Sequence, residues 1–278
     1  MPMPSLPEQQ AAIAAAREKL RAVVGRLPAF GAIAGTGLTG LTDDMEIAGR
    51  APYSALGFPA STVAGHPGEL VWGTIHGRAA FVLRGRFHLY EGYAPQEIAM
   101  PIRALAAEGM KYLVVTNASG GLRRDFRPGD VMAIRDHINA TGRSPLVGPH
   151  DPAWGPRFPD MSKVWDPRAL AILEKAATAQ RLPLRQGTYI GVHGPQLETP
   201  AETRIYRDAG ADAIGMSTVM EVIAAAQAGV RLAGLAAITN VNDPEAMAEV
   251  SLDEIVANAD RAAPALRRLV AALAAEWE

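Results

Sequence analysis

Apolar and polar positions along this chain follow two rhythms, one helical and one of short buried runs. Residues 6–27 are rich in alanine, and Ile13, Leu20 and Val24 fall near one face of a helical repeat, which predicts a helix. Residues 29–34 read as a short buried strand running into a glycine-rich loop at 35–40. A Gly- and Pro-rich stretch follows, in which 69–75 and 79–83 predict paired strands about a turn at Gly77. Residues 95–108 predict a helix and 111–116 (KYLVVT) a buried strand. Residues 131–134 predict another strand, and 144–165 a long loop dense in Gly, Pro and aromatics. A helix follows over 166–180, with Asp166 as N-cap and Pro167 in the first turn. Farther on, 188–192, 213–216 and 231–239 predict strands, and 200–208, 219–228 and 252–277 predict helices.

Strands alternate with helices to the end. That order implies a single α/β domain over residues 1–278, with a mixed, largely parallel central sheet flanked by helices. The N-terminal helix within 1–28 packs on it. In such sheets, ligand sites form beyond the carboxyl ends of strands. The segments at those ends are 35–40, 117–121, 193–198, 216–218 and 239–242.

Composition narrows the classes. Apolar residues make up 49% and charged residues 20%, and the formal net charge is -2. A chain with no basic excess does not predict a nucleic-acid partner or an anionic membrane surface. There is no cysteine, which excludes disulfides, zinc–thiolate sites and thiol nucleophiles. The first ten residues lack the basic start and apolar run of a signal peptide, and the alanine-rich stretches are broken by charges. The expectation is a cytoplasmic protein without a membrane segment.

Six segments have residue types that suit chemistry. Gly35-Thr36-Gly37-Leu38-Thr39-Gly40 matches GxGxxG, but residues 41–59 do not read as the helix a dinucleotide site needs, and Asp43, Asp44 and Glu46 come too early. A small anion loop using backbone N–H groups and Thr36 fits better, and a plain turn fits as well. In GRFHLYEG, Arg86, His88 and Tyr90 alternate, so an extended segment presents three polar donors on one side; Arg offers a planar fork suited to phosphate. The small residues of TNASGG (116–121) suit close approach of a ligand to the backbone, or a tight turn. Glu198 stands just before a helix, where it caps the helix or accepts from a heterocycle. Met216 and Ser217 at one strand end, and Thr239 and Asn240 at another, complete the set; an amide both donates to and accepts from a purine edge.

Taken in order, GTGLTG, GRFHLYEGY, TNASGG, GPQLETPAE, GADAIGMSTVMEV and ITN resemble the motifs of the trimeric purine nucleoside phosphorylases, from about Gly31 to the last helix. The resemblance implies a nucleoside phosphorylase-type fold, a homotrimer, and a purine nucleoside and phosphate as partners. Inorganic phosphate is the co-substrate, with no metal or organic cofactor. It implies a phosphate site of Thr36, His66, Arg86, His88, Ala118 and Ser217. It implies a purine site of Glu198, Met216, Thr239 and Asn240, lined by Ala118, Leu197 and Ile214. Tyr90 and Met216 hold the ribose, and Phe158 serves the neighbouring subunit's ribose pocket. Asn240, His88 and Glu198 are the expected catalytic groups. Phosphate attacks the sugar's C1 position while negative charge develops on the departing purine, which Asn240 meets at N7 and Glu198 orients through N1–H.

Two positions depart from that pattern. The family's His for the ribose 5′-hydroxyl falls at Leu252, which cannot hydrogen-bond that hydroxyl and favours a 5′-deoxy or 5′-methylthio sugar, as in the related methylthioadenosine phosphorylases; yet Asn240 is not the Asp with which those enzymes bind adenine. Leu197 stands where an aromatic often packs on the base. The leading expectation is therefore phosphorolysis of 6-oxopurine nucleosides such as inosine and guanosine. A 5′-methylthioinosine or 5′-methylthioadenosine phosphorylase is the alternative. A nucleotide-binding oxidoreductase built on GTGLTG and a non-catalytic purine-binding module are the readings from other classes.

Overall fold

Among the described residues, 3–60 and 67–278 of a computed structural model, nine strands join in one sheet. In chain order the elements are α1 (Leu6–Val24), β1 (Phe30–Ala34), β2 (Met45–Pro52), α2 (Tyr53–Leu56), β3 (Glu69–Ile75), β4 (Arg78–Arg84), α3 (Pro95–Ala107) and β5 (Tyr112–Gly121). They continue with β6 (Val131–Asn139), α4 (Pro167–Ala179), β7 (Leu184–Gly191), α5 (Pro200–Asp208), β8 (Ala213–Gly215), α6 (Val219–Gln227), β9 (Arg231–Val241) and α7 (Leu252–Glu276).

The strands run in the order β2-β3-β4-β1-β5-β8-β7-β6-β9, and β9 pairs back onto β5. Strands β5, β8, β7, β6 and β9 thus close into a ring, and β1, β4, β3 and β2 extend from β5 as an open arm. The sheet is mixed: five of its nine pairings are parallel. Strands buried on both faces carry apolar runs rather than alternation, as β5 and β9 do. Successive residues serve opposite faces. Ile33, Phe81, Leu83, Leu113 and Val115 pack with Leu20 of α1, Ile98 of α3 and Val222 of α6. Their neighbours Phe30, Ala80, Val82 and Val114 pack with Leu173 of α4 and Leu266 and Leu269 of α7. Each fully buried side chain of this size contributes about 1.5–3 kcal/mol of transfer free energy, so two such layers hold the sheet from both sides.

Asp166 and Trp277 tie α4 to the end of α7. Asp166 Oδ1 accepts from the Arg168 N–H at 2.8 Å, capping α4, while Oδ2 accepts from Trp277 Nε1 at 2.9 Å. The fully buried Trp277 ring meets Phe30 and Tyr112 edge-on at 6.4 and 5.2 Å between centroids. No helix among the described residues is long and apolar enough to cross a membrane.

Three expectations need correction. Residues 45–52 form the edge strand β2, which the sequence did not predict; it has a bulge between Ile47 and Gly49 and one largely exposed face, so no clean alternation marks it. TNASGG is not a tight turn: β5 continues straight through it to Gly121. Strand β6 likewise runs on to Asn139. The consequence for β5 is an opening in the sheet. Strand β1 pairs with it only as far as Val115, and β8 joins only from Gly120. Residues 116–119 between them are paired only to β9, so one backbone edge faces a gap.

Candidate active site

A cavity of about 310 Å³ opens at that gap. Thr36, Arg86, His88, Tyr90, Ala118, Leu197, Glu198, Ile214, Met216, Ser217, Thr239, Asn240 and Leu252, all nominated from sequence, line it together. His66 lies outside the described residues. Phe158 does not reach this cavity. It is 88% exposed and lines a separate hollow of about 470 Å³ with Leu146, Val147 and Ile223.

One wall is cationic and built where β4 ends. Arg86 follows the strand and is buried, and two nitrogens of its guanidinium are hydrogen-bonded: Nη1 donates to Ser217 Oγ at 2.8 Å and Nη2 to the Thr116 carbonyl at 2.7 Å. Glu221, on the first turn of α6, brings Oε1 to 3.5 Å from Arg86 Nε. A buried guanidinium needs such a counter-charge, since desolvation of an isolated ion costs several kcal/mol. His88 is held by Glu91, whose Oε1 accepts from both the backbone N–H and ring Nδ1 at 2.8 Å. The backbone turns there: residues 89–91 form a 3₁₀ turn rather than the extended run expected from alternation. Tyr90 still reaches the cavity because its ring stacks on His88, 4.6 Å between centroids and 15° from parallel. Burial, with Glu91 adding to it, pushes the Tyr90 hydroxyl up to about 12, so it stays a neutral donor.

The opposite wall holds amides and one carboxylate. Glu198 sits in the loop before α5; burial raises its pKa, and the hydrogen bond from Asn242 opposes that rise. Asn242 Nδ2 donates to Glu198 Oε2 at 2.7 Å, and Asn240 Nδ2 donates to Asn242 Oδ1 at 2.7 Å. The Thr239 hydroxyl donates toward Asn240 Oδ1 at 3.0 Å. From α7, Asn258 Nδ2 donates to the Thr239 carbonyl at 2.7 Å and fixes the strand end.

Apolar groups close the remaining sides. Met216 packs against Gly194, whose φ is +69° and whose added Cβ would lie 2.2 Å from Met216 Sδ, so only glycine fits there. Leu252 and Ile255, in the first turns of α7, line the mouth, and Leu252 is 57% exposed. Helix α7 begins where expected because Ser251 caps it, its Oγ accepting from the Glu254 N–H at 3.2 Å. The glycine loop contributes Gly35 and Thr36 to the cavity, and only a short 3₁₀ turn at Thr39–Thr42 follows it. The helix start that a dinucleotide pyrophosphate needs is missing there.

Sequence reasoning missed Glu221, Glu91 and Asn242. Glu91 had a signal, three residues after His88. Asn242 had one too: it stands two residues after Asn240, the spacing that returns a side chain to the same face of a strand.

Residues 31–275 match the family model described as the phosphorylase superfamily. The chain is 42% identical over 252 residues to purine nucleoside phosphorylase 1 of Bacillus subtilis, covering 90% of this chain and 93% of that one. The chain belongs to the purine nucleoside phosphorylase family. This is a family of pentosyltransferase-type enzymes within the phosphorylase superfamily. The Bos taurus purine nucleoside phosphorylase is 42% identical over 256 residues, covering 89% of each chain. Among solved structures, isoform 2 of the Schistosoma mansoni enzyme, in complex with cytosine and ribose-1-phosphate, superposes with a TM-score of 0.90 at 34% identity, covering 96% of this chain and 97% of that one. The Schistosoma mansoni enzyme in complex with inosine gives a TM-score of 0.89 at 31% identity, with the same coverage. Membership of this family replaces both the oxidoreductase and the binding-module readings.

Proposed function

We propose that this protein cleaves 6-oxopurine nucleosides, inosine and guanosine among them, with inorganic phosphate, releasing the free base and ribose 1-phosphate. The observation that carries this reading is one cavity that brings Arg86 and His88 together with Asn240 and Glu198. Phosphate binds among Arg86, His88, Thr36, Ser217 and the backbone at Ala118, with His66 completing the set. Its oxygen bonds to the sugar's C1 position as the bond to the base breaks. The electron pair passes to the purine, which leaves as an anion and takes a proton at its imidazole ring. Asn240 donates to N7, where that charge develops, and Glu198 accepts from N1–H. The phosphate dianion faces the oxocarbenium-like sugar and stabilises it. Tyr90 and Met216 hold the ribose, and Ala118, Leu197, Ile214 and Thr239 line the base.

The reading requires phosphate as co-substrate and no other cofactor. It takes the active form to be a homotrimer in which Phe158 of one subunit covers the ribose site of the next; light scattering after size exclusion measures that state. A chain without cysteine suits action in the cytoplasm. The test is release of hypoxanthine from inosine with purified protein and phosphate, and no release from either inosine or guanosine refutes the reading.

A second reading keeps the chemistry and changes the sugar. Leu252 and Ile255 make the mouth of the cavity apolar, which suits a 5′-methylthio group. A higher kcat/KM for 5′-methylthioinosine than for inosine would select it.

A further inference from the structure

Asn242 does not line the cavity, yet it touches both polar groups that define the base site. We infer that Asn242 is a specificity-determining positioning residue: its amide transmits a fixed hydrogen-bond direction from the Glu198 carboxylate to Asn240, and so disposes the site toward 6-oxopurines and against 6-aminopurines. The inference rests on the function proposed above.

The direction follows link by link. An ionised carboxylate only accepts hydrogen bonds. The 2.7 Å contact with Glu198 Oε2 therefore has to be made by the Asn242 nitrogen. That turns Asn242 Oδ1 the other way, where a 2.7 Å contact with Asn240 requires the Asn240 nitrogen. Asn240 Oδ1 then faces the Thr239 hydroxyl at 3.0 Å, whose single proton is shared between it and the Ser119 carbonyl at 3.2 Å. One charge thus assigns both amides, with no choice left at either.

The hub is held in place. Asn242 is only 6% exposed, and its backbone N–H donates to the Gly121 carbonyl at 2.8 Å. Gly120 of β5 leaves room for the pair: a Cβ there would stand 3.3 Å from both Asn240 Nδ2 and Asn242 Nδ2.

The consequence is chemical. Asn240 Nδ2 carries two N–H groups, and Asn242 takes one. The other is directed to a base that accepts at N7 and O6. Glu198 stays an acceptor, suited to a base that donates from N1–H. A 6-oxopurine offers that combination. A 6-aminopurine offers a donor where Asn240 donates and a bare N1 lone pair where Glu198 accepts, so it mismatches at both ends. Without Asn242, the Asn240 amide is free to turn over.

The experiment compares Asn242→Val with Asn242→Thr, which share a shape and differ by a hydroxyl able to donate to Glu198 and accept from Asn240. The readout is the ratio of kcat/KM for inosine to that for adenosine, with melting temperature and phosphate KM as controls on the fold and the other wall. The expectation is a ratio about tenfold lower in Asn242→Val, through the inosine term, and largely restored in Asn242→Thr. Equal losses on both substrates in both variants, leaving the ratio unchanged, would mark a merely structural residue and overturn the inference while the proposed function stands. If Asn242→Val does not fold, Asn242→Ala and Asn242→Ser replace the pair: a ratio about tenfold lower in Asn242→Ala and largely restored in Asn242→Ser supports the inference, and an unchanged ratio in Asn242→Ala overturns it. Failure of the unsubstituted protein to cleave any purine nucleoside overturns both.

Discussion

Replacing Arg86 by methionine tests the cationic wall at its most costly point. The Arg86 and Glu221 side chains are 3% and 5% exposed, and Glu221 Oε1 makes no hydrogen bond among the described residues. Its compensation is the guanidinium 3.5 Å away. Methionine keeps much of the volume but strands the carboxylate, along with the Thr116 carbonyl that Arg86 Nη2 reaches at 2.7 Å. Breaking a buried pair by removing one partner costs about 3–5 kcal/mol, whereas replacing both partners by apolar groups is often neutral. Arg86→Met is thus expected to lower unfolding stability by about 3–5 kcal/mol, and Arg86→Met/Glu221→Met to recover most of that loss. Urea denaturation at neutral pH, with equal slopes across the set, reads both values. Neither variant is expected to regain phosphate saturation, which separates the binding role from the stability role. A loss under about 1 kcal/mol in the single variant, or a double variant no more stable than it, would refute the assignment of Glu221 as the buried counter-charge.

Further outcomes follow from three other residues of the molecule. Burial raises the pKa of Glu198, so cleavage of inosine should fall on acidification at a pH above the ordinary glutamate range, and Glu198→Gln should remove that acid limb. The linked stability has a definite sign. A raised folded pKa gives stability that is full below the unfolded value and lost as pH rises through the folded one, so Glu198→Gln should gain most in melting temperature over the unsubstituted protein at neutral pH. Leu252→His should increase kcat/KM for inosine relative to 5′-methylthioinosine by about tenfold, by giving the 5′-hydroxyl a partner at the mouth; an unchanged ratio places the sugar's 5′ end elsewhere. Trp277→Ala, which empties a fully buried site and orphans Asp166 Oδ2, should cost about 3–5 kcal/mol in the same denaturation assay without changing KM.

What the sequence revealed depended on how local the signal was. KYLVVT and the apolar run of β9 announce buried strands unaided, and strand ends point to where a ligand binds; thirteen nominated residues from Thr36 to Leu252 converge on one cavity. Closure of five strands into a ring was not legible, because it depends on β9 pairing with both β5 and β6 and on the three-residue strand β8, which are matters of long-range register. The edge strand β2 has no alternation to betray it. TNASGG looked like a turn because small residues favour turns; its continuation as strand is imposed by β9 alongside, a tertiary effect that overrides local preference. Glu221 acts through Arg86 rather than on the cavity, so nothing in its immediate sequence marks it, and Asn242 is marked only by its two-residue spacing from Asn240.

The most direct test of the account is the product of inosine cleavage followed with and without phosphate. The account predicts hypoxanthine and ribose 1-phosphate in equal amounts, at a rate that saturates with phosphate and vanishes without it. Free ribose as the sugar product, or base release indifferent to phosphate, would contradict it.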